Sequence, residues 1–299
     1  MTVRLDAVLA ALEAVLGPPT GPLVPIGGGM TNENVRVEFA CGPAVVRLAG
    51  AGTELLGIDR ADEAQATRNA ADLGIGPALL AELPEHGTIA TRFVDARPLT
   101  EEEVRGARRD EVVAALRTLH DGPPVPGRFD VRAVLAAYAQ TAREHGVPEH
   151  RHEALAHKLT DRATAVMTGP EHTPVACHND LLAANLLHDG ERLWIVDWEY
   201  AGMNDRYFDL ANLAVNNGFG PLDEEALLTA YFGAAGARRL ARLRLMRLVS
   251  DAREAMWGVV QQGASALDVD FAAYADRHFA RLADAAGGER LDALLRAAG

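Results

Sequence analysis

The sequence predicts an α+β fold in two parts: a small N-terminal lobe with an antiparallel sheet plus a helix, and a larger, mainly helical C-terminal lobe. Three observations carry that expectation. The first third of the chain holds short runs of alternating apolar residues. From about residue 96 onward, apolar residues recur at helical spacing. Between the helical runs lies one stretch of different character, residues 178–200, HNDLLAANLLHDGERLWIVDWEY. It sets His, Asp and Asn among leucines and alanines and is flanked by short strand signals.

The elements follow in order. The first residues, MTVRLDAVLAALEAVLG, place apolar side chains at helical spacing. In NVRVEF, Val35, Val37 and Phe39 alternate as in a half-buried strand. Cys41-Gly42-Pro43 reads as a turn and AVVRLA as the returning strand, which makes a hairpin. A helix starts near Asp59, which can cap it; Asp62 and Glu63 occupy its first turn and Gly74 ends it. Thr88 to Val94 reads as a further strand. In EVVAALRTLH, Val112, Leu116 and Leu119 share one face, and the helix through VLAAYAQTAREHG stops at Gly146. Later helices are expected over roughly 223–233, 236–262 and 268–285. The boundary is placed at Asp95 to Pro98, which gives lobes of 1–95 and 96–299.

Composition narrows the class. The chain has 299 residues, 48% hydrophobic and 24% charged, an ordinary globular balance with length enough for a sizeable core. A formal net charge of −13 repels nucleic-acid phosphates, so no nucleic-acid partner is expected. Arg238 to Arg247 (RRLARLRLMR) reads as a solvated helix face with snorkelling arginines. Cys41 and Cys177 are the only cysteines, which argues against a disulfide framework. No run is apolar for long enough to span a membrane, and the N-terminus lacks a basic region and cleavage site. A cytoplasmic protein with no membrane partner is the expectation, and no oligomeric state follows from the sequence.

The stretch at 178–200 carries the chemistry. Asn185 comes five residues after Asp180, and Asp197 seventeen after it. Five is awkward for one helix face but natural for a loop folding around one centre. LWIVDW reads as a strand that delivers Asp197 at its end. Two carboxylates and an amide oxygen are hard donors that suit Mg²⁺, which leaves its other positions to substrate phosphates. Phosphoryl transfer uses such a set, with one Asp orienting the nucleophile. Taken singly, Asp180 and Asp197 could be a cap and a turn residue. Their combination with the N-terminal signals favours a site. There, PIGGGMTNENVRV puts Gly27, Gly28 and Gly29 in a turn, where backbone N–H groups can approach phosphate oxygens; a flexible hairpin is the plainer reading. Asn32 belongs to the same stretch and is counted among the nucleotide-binding candidates. Arg47 stands in an apolar strand and needs a partner, which Glu63 could supply.

Together these residues resemble the choline/ethanolamine kinase branch of the aminoglycoside phosphotransferase family, which has a protein-kinase-like two-lobed fold. GGMTNENVRV, VVRLAGAGTELLGIDRADE, HNDLLAANLL with IVDWEYAGMNDRYFDLANL, and AMWGVVQQGASALDVDFAAYA carry the likeness. The resemblance implies an ATP- and Mg²⁺-dependent kinase acting on a small amino alcohol. Asp180 would be the catalytic base, Asn185 and Asp197 the metal ligands, and Arg47 the residue that binds ATP phosphates, with Glu63 its helix partner. His178 would brace the loop and Asp209 would tie its backbone. Tyr200 and Trp257, with Tyr274 contributing, match an aromatic cage for a cationic nitrogen. The chain departs from that pattern at Glu254, where an aromatic is expected, and at Asn216, where an acid is.

Two other readings stand beside it. An aminoglycoside or other antibiotic or sugar phosphotransferase would need several cleft carboxylates, and the tail offers mainly Glu254, Asp268 and Asp270. An inactive kinase-fold binding protein would be expected to lack Asp180, Asn185 or Asp197, and all three are present. A hydrolase built on Cys177 and His178 fails, because adjacent residues rarely point at each other from a strand.

Overall fold

A computed structural model describes residues 2–27, 32–50, 53–265 and 267–299. The N-terminal part comprises α1 (Thr2–Leu16), β1 (Val24–Ile26), β2 (Asn32–Phe39), β3 (Gly42–Ala49), α2 (Arg60–Asp72), β4 (Leu79–Leu83) and β5 (Thr88–Arg92). The five strands form one antiparallel sheet in the order β1-β2-β3-β5-β4. Its alternation is the expected one: Val35, Val37 and Phe39 of β2 and Val46 and Leu48 of β3 point inward, where Val8 and Leu12 of α1 cover them. The hairpin turn sits one residue earlier than the sequence suggests. Phe39 already pairs with Gly42, so Ala40-Cys41 form the turn. Gly42 takes φ 108°, which a side chain would oppose.

Helix α2 begins as expected. The Asp59 side chain accepts the N–H groups of Ala61 and Asp62, and Gly74 ends the helix at φ 73°. The sheet strand expected to reach Val94 stops at Arg92.

The remainder comprises β6 (Arg97–Pro98), α3 (Glu101–Arg105), α4 (Arg109–His120), α5 (Val131–Glu144), α6 (Glu153–Ala165), β7 (Val175–Cys177), β8 (Leu186–His188), β9 (Leu193–Ile195), β10 (Gly202–Asn204), α7 (Arg206–Asn216), α8 (Pro221–Phe232), α9 (Ala237–Ala264), α10 (Phe271–Ala285) and α11 (Gly288–Ala298). Small sheets β10-β7 and β6-β8-β9 frame the polar stretch. The long α9 is central, packing on α5, α6, α7, α10 and α11. Leu56, Ala66, Ala70 and Ile75 join this second, larger core, so α2 bridges the two parts. Among the described residues, no helix is long and apolar enough to cross a membrane.

The arginines of α9 do not form a solvated face. Arg238 and Arg242 donate to the carbonyl of Ala298 at the end of α11, and Arg239 and Arg242 pair with Glu171. Arg244 and Arg247 pair with Glu224 of α8, a carboxylate only 5% exposed. Their partners come from distant parts of the chain, so these side chains tie α8, α11 and the 168–171 loop to α9.

Candidate active site

The loop that leaves β7 is held by its backbone. Oδ2 and Oδ1 of the Asp209 carboxylate on α7 accept the N–H groups of His178 (2.9 Å) and Asn179 (2.7 Å). His120 Nε2 lies 3.1 Å from the same carboxylate, and His120 Nδ1 lies 2.6 Å from the Tyr231 hydroxyl. Burial would raise Asp209, but the His120 hydrogen bond and charge outweigh it and hold the carboxyl below its ordinary pKa. One turn on, Asn212 Oδ1 accepts the Leu181 N–H at 2.6 Å, and Asn217 Nδ2 donates to the Leu181 carbonyl at 3.0 Å. Leu181 and Leu186 are fully buried, so the leucines of this stretch anchor the loop in the core between its polar residues.

His178 braces the loop from inside. Its Nδ1 accepts the Asp180 N–H, which leaves Nε2–H to donate to the Val196 carbonyl. Burial lowers its pKa, in keeping with this neutral tautomer. Burial likewise pushes the Cys177 thiol well up, the opposite of what a nucleophile needs.

This frame brings Asp180, Asn185 and Asp197 together. Asn185 Nδ2 donates to the Asp180 carbonyl at 2.9 Å, and the Asn185 carbonyl accepts the Val196 N–H at 3.0 Å. The amide nitrogen is thus engaged, which fixes the orientation of the side chain. Strand β9 ends at Ile195, two residues before Asp197, which turns out of it at φ 66°.

The N-terminal part meets this loop through charge. Arg47 of β3 pairs with Glu63 of α2, as its sequence position suggests, and also reaches Asp197 Oδ1 at 2.5 Å. A second guanidinium, Arg60, was not legible as a site residue. It pairs with Glu63 at 2.7 Å and Glu199 at 3.4 Å and donates to Asn32 Oδ1 at 3.2 Å. Asn32 Nδ2 in turn donates to Glu199 Oε2 at 2.8 Å, so Asn32 joins β2 to the loop after Asp197. The available signal was Arg60 itself: a cation in the first turn of a helix opposes the helix dipole and needs a reason. Gly28 and Gly29 lie outside the described residues. Gly27 is exposed, and a Cβ there would meet nothing within 4 Å.

On the other side of Asp180 lies Arg253 of α9, also not singled out from the sequence. Its Nη1 is 3.2 Å from Asp180 Oδ1 and 2.8 Å from Glu254 Oε1, and its guanidinium stacks 4.4 Å from the centre of the Tyr200 ring. Glu254 is only 2% exposed and takes further bonds from Asn212 (3.1 Å) and the Tyr274 hydroxyl (2.8 Å). Trp257 Nε1–H donates to the Tyr200 hydroxyl at 3.1 Å, and its ring meets Phe271 and Tyr274 edge-on. Tyr200, Trp257, Glu254 and Tyr274 therefore form one cluster beside Asp180. Asn216 bonds Asn212 and supports that cluster from behind.

Among the described side chains, five carboxylates (Glu63, Asp180, Asp197, Glu199, Glu254) pair with three guanidinium groups (Arg47, Arg60, Arg253), an acidic excess. The imbalance shows in the pKa values. Burial pushes Asp180 up to about 7, with Glu254, Asp197 and Glu199 adding and Arg253 opposing. Burial and Glu199 push Asp197 up to about 6 against Arg47 and Arg60. Hard oxygen donors in acidic excess fit a divalent cation.

Residues 22–246 match the Phosphotransferase enzyme family. A choline/ethanolamine kinase family protein from Mesorhizobium loti superposes with a TM-score of 0.81 at 32% identity, covering 99% of each chain. The choline kinase LicA from Streptococcus pneumoniae gives 0.79 at 23%, over 94% of this chain and 99% of that one. By sequence, a protein named probable choline kinase 2 from Arabidopsis thaliana is 23% identical over 92% of this chain and 88% of its own. The small sheet lobe and helical lobe are those of a protein-kinase-like fold, and the chain belongs to the Phosphotransferase enzyme family.

Proposed function

We propose that the protein transfers the γ-phosphate of ATP to the hydroxyl of a small amino alcohol, such as choline or ethanolamine. The observation that carries this reading is that Asp180 and Asn185, on the braced loop after β7, lie beside the turn after β9, whose Asp197 pairs with Arg47, itself paired with Glu63. Asp180 accepts the acceptor's hydroxyl proton and orients its oxygen. Its raised pKa, about 7, suits a base near neutral pH. Asn185 and Asp197 would hold Mg²⁺, which when bound neutralises charge on the phosphates. Arg47 and Arg60, kept in place by Glu63 and Glu199, offer guanidinium donors to phosphate oxygens. Residues 1–95 would then form the nucleotide lobe and 96–299 the catalytic and acceptor lobe.

An aminoglycoside acceptor is less well supported. It would need several free carboxylates, whereas Glu254 is already bonded by three side chains and Asp270 caps α10. The test is ADP release from ATP with a panel of amino alcohols, sugars and aminoglycosides, with and without Mg²⁺. Release should require both the divalent cation and an amino alcohol. Turnover without metal, or with sugars and aminoglycosides alone, would overturn this reading.

A further inference from the structure

Arg253 is a costly residue where it stands. The residue is 1% exposed, in the middle of the long central helix α9. Only Nη1 has protein partners; Nε and Nη2 are buried without any. A buried guanidinium with two unpaired donors carries a desolvation penalty, offset by its pairing with Asp180 and Glu254, which its loss would leave as buried carboxylates without that partner. Pairing through Nη1 alone gives no reason for a side chain this large.

Its position gives one. Tyr200 lies under the guanidinium that pairs with the base, and a cation placed over such a ring is attracted to its face. Arg253 already covers that ring at 4.4 Å. The neighbouring rings are engaged as well: Trp257 is edge-on to Phe271 and Tyr274, and Tyr274 lies against His278. A quaternary ammonium, which binds by ring faces alone, finds the Tyr200 face already covered. One further cation is still favoured, since Asp180 and Glu254 share a single guanidinium and the Asp180 side chain remains 15% exposed. A primary ammonium meets that need through N–H donors to the Asp180 carboxylate, which a quaternary ammonium lacks.

We propose that Arg253 sets acceptor specificity: its guanidinium, seated on Tyr200 between Asp180 and Glu254, excludes quaternary ammonium alcohols and leaves the pocket to acceptors whose nitrogen carries hydrogens. The inference rests on the function proposed above and narrows its substrate class.

The test is calorimetric titration of ethanolamine and of choline into the protein with Mg²⁺ and a non-hydrolysable ATP analogue. The wild type should bind ethanolamine at least about tenfold more tightly than choline. Arg253→Leu, which uncovers the Tyr200 face, should narrow or invert that ratio by about tenfold, within the range of a cation–ring contact. Arg253→Lys, which keeps a cation, should hold the wild-type order, and affinity for the nucleotide analogue should stay unchanged in both. Should Arg253→Leu fail to fold, as judged by circular dichroism, Arg253→Gln removes the charge at similar length and should move the ratio the same way. A wild type that prefers choline, or neutral variants that fold and keep the wild-type ratio, would overturn the proposal. Binding of neither amino alcohol by the wild type would instead remove the function proposed above, and this inference with it.

Discussion

Asp180→Asn changes a carboxylate to an amide of the same shape, and the structure predicts opposite effects on activity and stability. Turnover should fall about 10²- to 10⁴-fold, the range for loss of a positioned general base. The Michaelis constant for ATP should hold within about twofold, because the variant leaves Asn185, Asp197 and Arg47 in place. Stability of the metal-free protein should rise at pH 8. In the fold Asp180 has a pKa of about 7 against an ordinary 3.8. Three units at about 1.4 kcal/mol each set an upper limit near 4 kcal/mol for keeping it ionised. The side chain is 15% exposed, so water relieves part of that, and the amide weakens the contact with Arg253. A net gain of about 1–2 kcal/mol remains, or roughly 2–4 °C in melting temperature. The sign with pH follows. A carboxyl whose folded pKa is raised holds its proton more tightly in the native state, so stability falls as pH rises through the window from about 4 to 7. Wild-type protein should melt higher at pH 5.5 than at pH 8, the burial-lowered His178 acting in the opposite sense below about 6.5 and offsetting part of the difference. Asp180→Asn should flatten that slope without abolishing it, since Asp197, at about 6, contributes the same sign. Calorimetric melts at both pH values, with steady-state kinetics, read every term. An unchanged slope would show that Asp180 carries no unfavourable charge, and near wild-type turnover would show that it is not the base.

Asp197→Asn should weaken Mg²⁺–nucleotide binding at least about tenfold by calorimetry, since a charged metal donor is lost. Arg47→Ala should raise the Michaelis constant for ATP. It should also lower the melting temperature, because Glu63, 1% exposed, keeps only Arg60 as a partner; breaking a buried pair costs about 3–5 kcal/mol when no second cation remains. Asp209→Asn should destabilise by about 2–3 kcal/mol in denaturant melts, because an amide cannot accept the His178 and Asn179 N–H groups with both of its ends.

Local pattern made much of the scaffold legible. The β2–β3 alternation, the Asp59 cap and the stop at Gly146 are written in neighbouring residues, and the structure keeps each of them. The Arg47–Glu63 pair was also within reach, because a lone cation in an apolar strand demands a nearby anion. What stayed hidden depends on packing. α9 is surrounded by other helices, so its buried polar residues follow no single stripe, and Arg253 reads like any solvated helix arginine. The same logic misled at Arg238 to Arg247, whose partners Glu171, Glu224 and Ala298 are remote in sequence. α6, α11, β4 and β6 lack strong end signals and were missed with them.

The division of charge between the two parts bears on how the site assembles. The sheet lobe brings two guanidinium groups with one carboxylate, Arg47, Arg60 and Glu63. The helical lobe brings Asp180, Asp197, Glu199 and Glu254 with Arg253 alone. Neither half is balanced, so ion pairing between them draws them together, with an acidic excess among these described groups. Such a site resists collapse onto itself, and rigidity must come from elsewhere. It comes from the backbone. Among the described residues, Asn179 and Asp197 are the non-glycine positions with left-handed φ, each at 66°. Asn and Asp tolerate that region better than other side chains, but it still costs of order 1 kcal/mol. Around Asn179 the hydrogen bonds it donates to Asp209 and the Tyr200 carbonyl, and accepts from Asn204, offset it. Asp197 has no comparable set and relies on Arg47, so its backbone is the part of the loop most responsive to whatever cation replaces that contact.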